Sequence, residues 1–297
     1  MSSNNLNSKH CLGFIGLGSI GLPIAANLNK AGFSLRVHTR SRVAETNNQL
    51  KGARPCETPK EVAQGCDVLM LCVSNEKAVE EVIFGPNGAE HSLTPGKLII
   101  DFSTISPNKA KSIASRLSKK NIDYIDAPVS GGTEGAKKGT LTIFLGTNND
   151  YLKNLSSILN AIGTNFYPFG SIGKGQEVKA INQILVAGTY AAVAEAIALG
   201  QSLELPMDAV IEALQKGAAN SWALSHRSKA MLNDKYPLGF KLQLHHKDLS
   251  IALKTAKNEG LDLPITSKVK EIEELLIKEG YKNQDVSVLR RAIKVKT

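Results

Sequence analysis

The sequence predicts an α/β fold in two parts. A doubly wound, Rossmann-type sheet domain comes first, and an all-α domain follows, joined to it by a long buried helix. Three observations carry this. Up to about residue 170, short apolar runs alternate with helical patterns. Between the first run and the first helix stands Gly16-Leu-Gly18-Ser19-Ile20-Gly21. From Gly175 a proline-free, largely uncharged segment runs to Pro206, and only helical periods follow it. A chain of 297 residues is two domains by size as well, because a single core seldom grows past ~250 residues.

Residues 1–10 are Asn/Ser-rich and lack an apolar run or an arginine, which suits neither a secretory signal nor a transit peptide. They read as a short disordered lead. From Cys11 the order strand, glycine turn, helix, strand makes a βαβ unit of ~30 residues, the context in which G-x-G-x-x-G indicates a dinucleotide site. Gly16 permits the tight turn, Gly18 lets the backbone approach a pyrophosphate, and Gly21 lets helix and strand pack closely. Ser19 and Ile20 open the helix, whose N–H groups and dipole favour phosphate. The second strand ends in His38-Thr39-Arg40-Ser41-Arg42, with no acid before Glu45. An acid at that place would bind a ribose 2′-hydroxyl, whereas Thr39, Arg40 and Arg42 suit a 2′-phosphate. The expected cofactor is therefore NADP(H), with NAD(H) as the alternative.

Further buried-type strands are expected at 67–73 and 97–102. They end in Val73-Ser74-Asn75 and Ser103-Thr104, and a helix is expected over 107–119. Ligands of doubly wound sheets lie beyond the carboxyl ends of the strands, so Val73, Ser74, Asn75, Thr104 and Ser130 are candidates for one crevice. Short strands at 140–145 and 165–169 follow, the second at an edge because Pro168 cannot donate to a ladder.

The helix from Gly175 has small or apolar residues on every face, which is the pattern of a buried helix. A membrane span is the rival reading, but Asn182, Gln183 and Glu195 interrupt the run. Lys179, Asn182 and Gln183 stand at i, i+3 and i+4 and share one face. A lysine there either snorkels to solvent or faces a polar cavity. Glu195 falls on another face and reads as a buried structural carboxylate. The expected domains are 11–172, binding NADP, and 173–297, an all-helical part for substrate and dimerisation.

The net charge of +9 comes from scattered residues, densest in 290–297, with no zinc-finger spacing and no basic run interleaved with aromatics. Neither a nucleic-acid partner nor a membrane is expected. Cys11, Cys56, Cys66 and Cys72 have no metal-like spacing and read as reduced thiols of a cytoplasmic protein. His245 and His246 are adjacent in a helical pattern and point apart, so no metal is expected. Trp222 and Phe240 read as core or pocket wall.

Four stretches together resemble the β-hydroxyacid dehydrogenase family: Gly13-Phe-Ile-Gly-Leu-Gly-Ser-Ile-Gly21, Asp126-Ala-Pro-Val-Ser-Gly-Gly132, Gly173-Lys-Gly-Gln-Glu-Val-Lys179 and Lys247-Asp-Leu249. The resemblance spans about residues 11–293. It implies an enzyme that interconverts a short 3-hydroxy acid and its semialdehyde, of the 3-hydroxyisobutyrate dehydrogenase or 2-hydroxy-3-oxopropionate reductase type. Lys179 would be the general acid/base. Ser130, Gly131 and Gly132 would hold the substrate carboxylate, Asn182 and Gln183 would orient the substrate, and Lys247 would serve the nicotinamide side. It also implies a homodimer or homotetramer. Two alternatives stand beside this: a glyoxylate or succinic semialdehyde reductase of the same class, and a dinucleotide-binding module that has lost its chemistry. The module would lack the lysine, which this chain retains.

Overall fold

The structure, a computed structural model, describes residues 10–147 and 150–294. Most of the expected lead, residues 1–9, lies outside the described residues, as does the end of the basic C-terminal stretch. The chain forms two compact units, Met1–Lys179 and Ala180–Thr297.

The first unit opens with β1 (Cys11–Ile15), α1 (Gly21–Lys30), β2 (Ser34–His38), β3 (Arg54–Pro55) and α2 (Pro59–Ala63). It continues with β4 (Val68–Leu71), α3 (Glu76–Phe84), β5 (Leu98–Asp101), α4 (Pro107–Ser118) and β6 (Asp123–Asp126). These six strands form one parallel sheet in the order β3-β2-β1-β4-β5-β6. Side chains alternate across a strand, so each central strand feeds two cores. Leu12, Phe14, Val68, Met70, Leu98 and Ile100 pack on one face with Ile24 and Leu28 of α1. Ile15, Leu69, Leu71 and Ile99 pack on the other with Val62 of α2, Val79 of α3 and Ile113 of α4. A sheet covered on both faces explains why β4 and β5 read as unbroken buried runs.

A second, smaller sheet follows, made of β7 (Val129–Ser130), β8 (Leu141–Leu145) and β9 (Gly163–Pro168), in that order. Helices α5 (Gly132–Lys138) and α6 (Asp150–Ile162) alternate with them. β9 lies at the edge, and Pro168 is its last residue. Burial pushes the thiols of Cys66 and Cys72 up to about 12, which leaves them inert.

Helix α7 (Lys174–Ser202) starts in the first unit and continues as the first helix of the second. The second unit adds α8 (Met207–Gln215), α9 (Trp222–Leu232), α10 (Leu242–Asn258) and α11 (Pro264–Lys278). Ala187, Tyr190, Ala194 and Ile197 of α7 join Leu224, Met231, Leu249 and Val269 in its core. The expectation of a helix buried all round needs correcting. Ile181, Leu185, Ala192, Ala196 and Leu199 form an exposed stripe at i+4, i+7, i+4 and i+3 spacings, and Glu195 is exposed, not buried. By length and composition alone α7 could cross a membrane, but its opposite side belongs to the helical core.

Candidate active site

Because β1, β4, β5 and β6 are parallel, their last residues and those that follow lie along one edge of the sheet. That edge carries Gly16, Val73, Ser103 and Asp126. Gly16 has φ +100, and its N–H donates to the His38 carbonyl at 2.9 Å. A side chain at Gly21 would overlap the Gly16 carbonyl, whereas one at Gly18 would meet nothing within 4 Å. The first glycine thus turns the chain, the third seats α1, and the second faces open space. α1 has no side-chain cap and no acid in its first turn. Such a turn fits a dinucleotide pyrophosphate, since bare backbone and a positive helix end are what the phosphates need. Asn75, at the next loop, caps α3 by accepting from the Ala78 N–H at 2.9 Å.

The turn after β2 is more interlocked than its sequence suggests. The Thr39 hydroxyl accepts from the Leu17 N–H at 3.3 Å, which joins this turn to the glycine loop. The Thr39 N–H donates to Glu45 Oε1 at 2.7 Å, and the other oxygen of this buried carboxylate accepts from Arg42 Nε at 2.8 Å. Arg42 also grips Glu57 with both terminal nitrogens, and this guanidinium holds the Glu57 carboxyl below its usual range. Arg42 was expected to offer its charge to a 2′-phosphate; it stands just before a 3-10 turn at φ +61, paired with two carboxylates. Arg40 is exposed and has no ion pair among the described residues.

Farther along the edge, two buried aspartates that sequence reasoning passed over organise the loops. Asp101 Oδ1 accepts from the Ser103 N–H at 2.9 Å, and its Oδ2 accepts from the Tyr124 hydroxyl at 2.8 Å. Burial raises its carboxyl to about 6 against the lowering effect of those bonds. The Ser103 hydroxyl accepts from the Val73 N–H at 2.9 Å. Asp126 accepts from the N–H groups of Gly173 at 2.7 Å and Gln176 at 2.9 Å. Gly146 and Gly175 press against this carboxylate so closely that a methyl group at either would collide with it. Gln176, fully buried, donates to the Ser103 carbonyl at 2.8 Å and accepts from the Ile105 N–H at 3.2 Å. Lys179 follows one turn later and is 6% exposed, so it does not snorkel out. In the loop before α5, Gly131 and Gly132 both have positive φ (127° and 62°), a backbone that favours glycine. Ser130 closes β7 beside them.

In the second unit the candidate amides form a chain. Asn182 Nδ2 donates to Gln183 Oε1 at 2.7 Å, and Gln183 Nε2 donates to Asp248 Oδ2 at 2.7 Å. A charged carboxylate only accepts, so Asp248 fixes which end of the Gln183 amide faces it. Lys247 Nζ lies 2.9 Å from the other oxygen of Asp248. Gln183, expected to orient a substrate, is thus buried with both ends of its amide engaged, and Asn182 is the more exposed of the pair. His245 Nδ1 lies 2.5 Å from Glu273 Oε1, both fully buried, which accounts for that histidine as a packing group of α10 and α11. Trp222 is not core: it is 44% exposed, stacks on His226 and lies against Arg227.

Comparison with known proteins adds the following. Residues 11–171 match the family model for the NAD binding domain of 6-phosphogluconate dehydrogenase. Residues 173–293 match that for the NAD-binding domain of NADP-dependent 3-hydroxyisobutyrate dehydrogenase. The chain is 38% identical over 284 residues to a 2-hydroxy-3-oxopropionate reductase of Escherichia coli, covering 96% of this chain and 97% of that one. It is 32% identical over 287 residues to an NAD-dependent L-serine dehydrogenase of Pseudomonas aeruginosa, covering 94% and 96%. Among solved structures it resembles a 3-hydroxyisobutyrate dehydrogenase from Salmonella typhimurium, with TM-score 0.87 and 30% identity over 96% of this chain and all of that one.

Proposed function

The chain belongs to the β-hydroxyacid dehydrogenase family, whose members are NAD(P)-dependent oxidoreductases, and from that premise we propose that it interconverts a short 3-hydroxy acid and its semialdehyde with Lys179 as general acid/base. The observation that carries this reading is the burial of Lys179. It stands one turn beyond a helix start that is tied to the carboxyl edge of the nucleotide-binding sheet. A lysine kept from solvent there has a reason to exist that a packing residue would not supply.

The roles follow from the donor chemistry. The glycine turn Gly16–Gly21, with the backbone of Ser19 and Ile20, holds the pyrophosphate. Val73, Ser74, Asn75 and Thr104 line the nicotinamide half, and Lys247 serves the same half. The bound nicotinamide supplies or accepts the hydride. Ser130 and the amides of Gly131 and Gly132 bind the substrate carboxylate, because N–H groups at glycine approach an anion closely. In reduction the Lys179 ammonium donates a proton to the oxygen that becomes the hydroxyl. In oxidation the neutral amine removes it. Asn182 contacts the substrate, and Gln183 acts behind it by orienting the Asn182 amide. Functional domains of 11–172 and 173–297 are consistent with this division of labour.

NADP(H) is the proposed preferred cofactor, with Arg40 as the residue that grips the 2′-phosphate and Thr39 beside it. Arg42 is assigned to holding the turn. Substrates of the 3-hydroxyisobutyrate or 2-hydroxy-3-oxopropionate type are favoured over glyoxylate or succinic semialdehyde by the relatives that carry those activities in their descriptions. The exposed stripe of α7 supports a homodimer or homotetramer. The test is steady-state turnover of tartronate, methylmalonate and succinate semialdehydes and of glyoxylate, each with NADPH and with NADH. The expected result is highest kcat/KM for a three-carbon-chain semialdehyde with NADPH. Turnover of none of the four, with normal cofactor binding, would instead support the non-catalytic module.

A further inference from the structure

The buried carboxylate of Asp126 has no part in the chemistry described above, yet each of its oxygens accepts a backbone hydrogen bond. In a capping box, the N-cap and N3 N–H groups are satisfied by two side chains of the helix start itself. In α7 those positions are Gly173 and Gln176. Both N–H groups are taken by one carboxylate lying 47 and 50 residues earlier in the chain, at the end of β6. The Gln176 side chain adds two more ties, to Ser103 and Ile105 after β5. Ser103 in turn holds the Val73 N–H after β4. The start of α7 is therefore fastened directly to the end of β6 and the loop after β5, and through Ser103 to the loop after β4.

Gln176, Lys179 and Gln183 are spaced i, i+3 and i+7, so they lie along one face of the helix. The face that carries the lysine is the face that Gln176 pins. We propose that Asp126 and Gln176 are positioning residues for Lys179, which fix the rotation and height of its helix relative to the nicotinamide loops. The proposal rests on the reading of Lys179 as the acid/base. A helix rotation of about 10° moves a long side chain's tip by roughly 1 Å, and a misplacement of that size costs about 100-fold in rate. Four buried hydrogen bonds on the first turn are what such precision requires.

The experiment is a double-mutant cycle on hydride transfer, followed in single turnover with excess enzyme. Asp126→Asn keeps the size of the side chain but offers an amide N–H to one of the two backbone N–H groups. It should lower the single-turnover rate roughly 10- to 100-fold, while the NADPH dissociation constant stays within about threefold. In a Lys179→Ala background the same change should cost nothing further, because a positioning residue acts only through the group it positions. A loss that repeats in full without the lysine overturns the proposal and leaves the lysine reading intact, as does an unaltered rate in Asp126→Asn. A Lys179→Ala enzyme with normal turnover overturns the lysine reading and the proposal together. If Asp126→Asn does not fold, Gln176→Met cuts the ties to Ser103 and Ile105 while leaving the carboxylate in place, and the same cycle decides the matter.

Discussion

Replacing Asp101 by asparagine should make the protein more stable at neutral and alkaline pH. This carboxyl is fully buried and raised from 3.8 to about 6, chiefly by burial and with a contribution from Asp126, against the lowering effect of Ser103 and Tyr124. A carboxyl raised on folding binds its proton more tightly in the folded than in the unfolded chain. Its contribution is therefore fully present below about pH 4 and is lost as pH rises through about 6. A displacement of about two units corresponds to about 3 kcal/mol, which is the largest gain available from removing the charge. Asparagine can keep the local bonds. Its oxygen accepts from the Ser103 N–H, and its amide donates to the Tyr124 hydroxyl, which can accept as well as donate. Urea unfolding followed by circular dichroism, from about pH 8 to about pH 4.5, measures the difference between the two proteins. The variant should lead at the alkaline end, and the gap should close on acidification. A gap that stays constant or widens as pH falls would show that Asp101 does not carry a costly charge in the folded state.

Lys179→Ala should lower turnover by ~100-fold or more with NADPH affinity nearly unchanged, and near-normal turnover would dismiss the acid/base assignment. At the cofactor turn, Arg40→Ala should reduce the NADPH-over-NADH ratio of kcat/KM by about tenfold or more, and Thr39→Asp with Arg40→Ala should reverse it. Arg42→Ala should change that ratio less, because its guanidinium already faces Glu45 and Glu57; a parent enzyme preferring NADH would refute this reading of the turn. Leu185→Glu, in the exposed stripe of α7, should shift the protein to a smaller species by light scattering. A parent protein that is already monomeric at micromolar concentration would exclude that role for the stripe.

The sheet was legible because β4 and β5 are buried on both faces, which leaves no polar alternation to blur them. The glycine turn was legible because Gly16 and Gly21 answer separate steric demands and Gly18 leaves the space between them open, all within six residues. α7 showed its length and its lysine but not its buried side. Ile181 and Ala187 are both apolar, and composition does not tell which of them meets a core and which meets solvent. The ion pairing of Arg42 was hidden for a different reason. Its partner Glu57 is 15 residues away, beyond β3, and no local pattern pairs them. Gln183 reads as a ready donor and acceptor until the fold brings Asp248 to it from 65 residues on. Asp126 and Gln176 each sit inside a motif, yet their bonds to one another's segments exist only after α7 docks on the sheet. In each case the sequence states the capacity of a group, and the tertiary fold states whether that capacity is already used.

The two glycines around Asp126 bear on how this protein can diverge. Neither Gly146 nor Gly175 has a positive φ, so their backbones would accept any residue. What forbids a side chain is the carboxylate itself, together with the Phe144 carbonyl behind Gly175. A larger residue at Gly146 becomes tolerable only if position 126 shrinks, and a shrunken residue there releases the Gly173 and Gln176 N–H groups. Positions 126 and 146 are thus epistatically bound, with no single-step neutral exchange between them. Lineages derived from this fold should either keep the pair or replace it whole, with another means of securing the helix start.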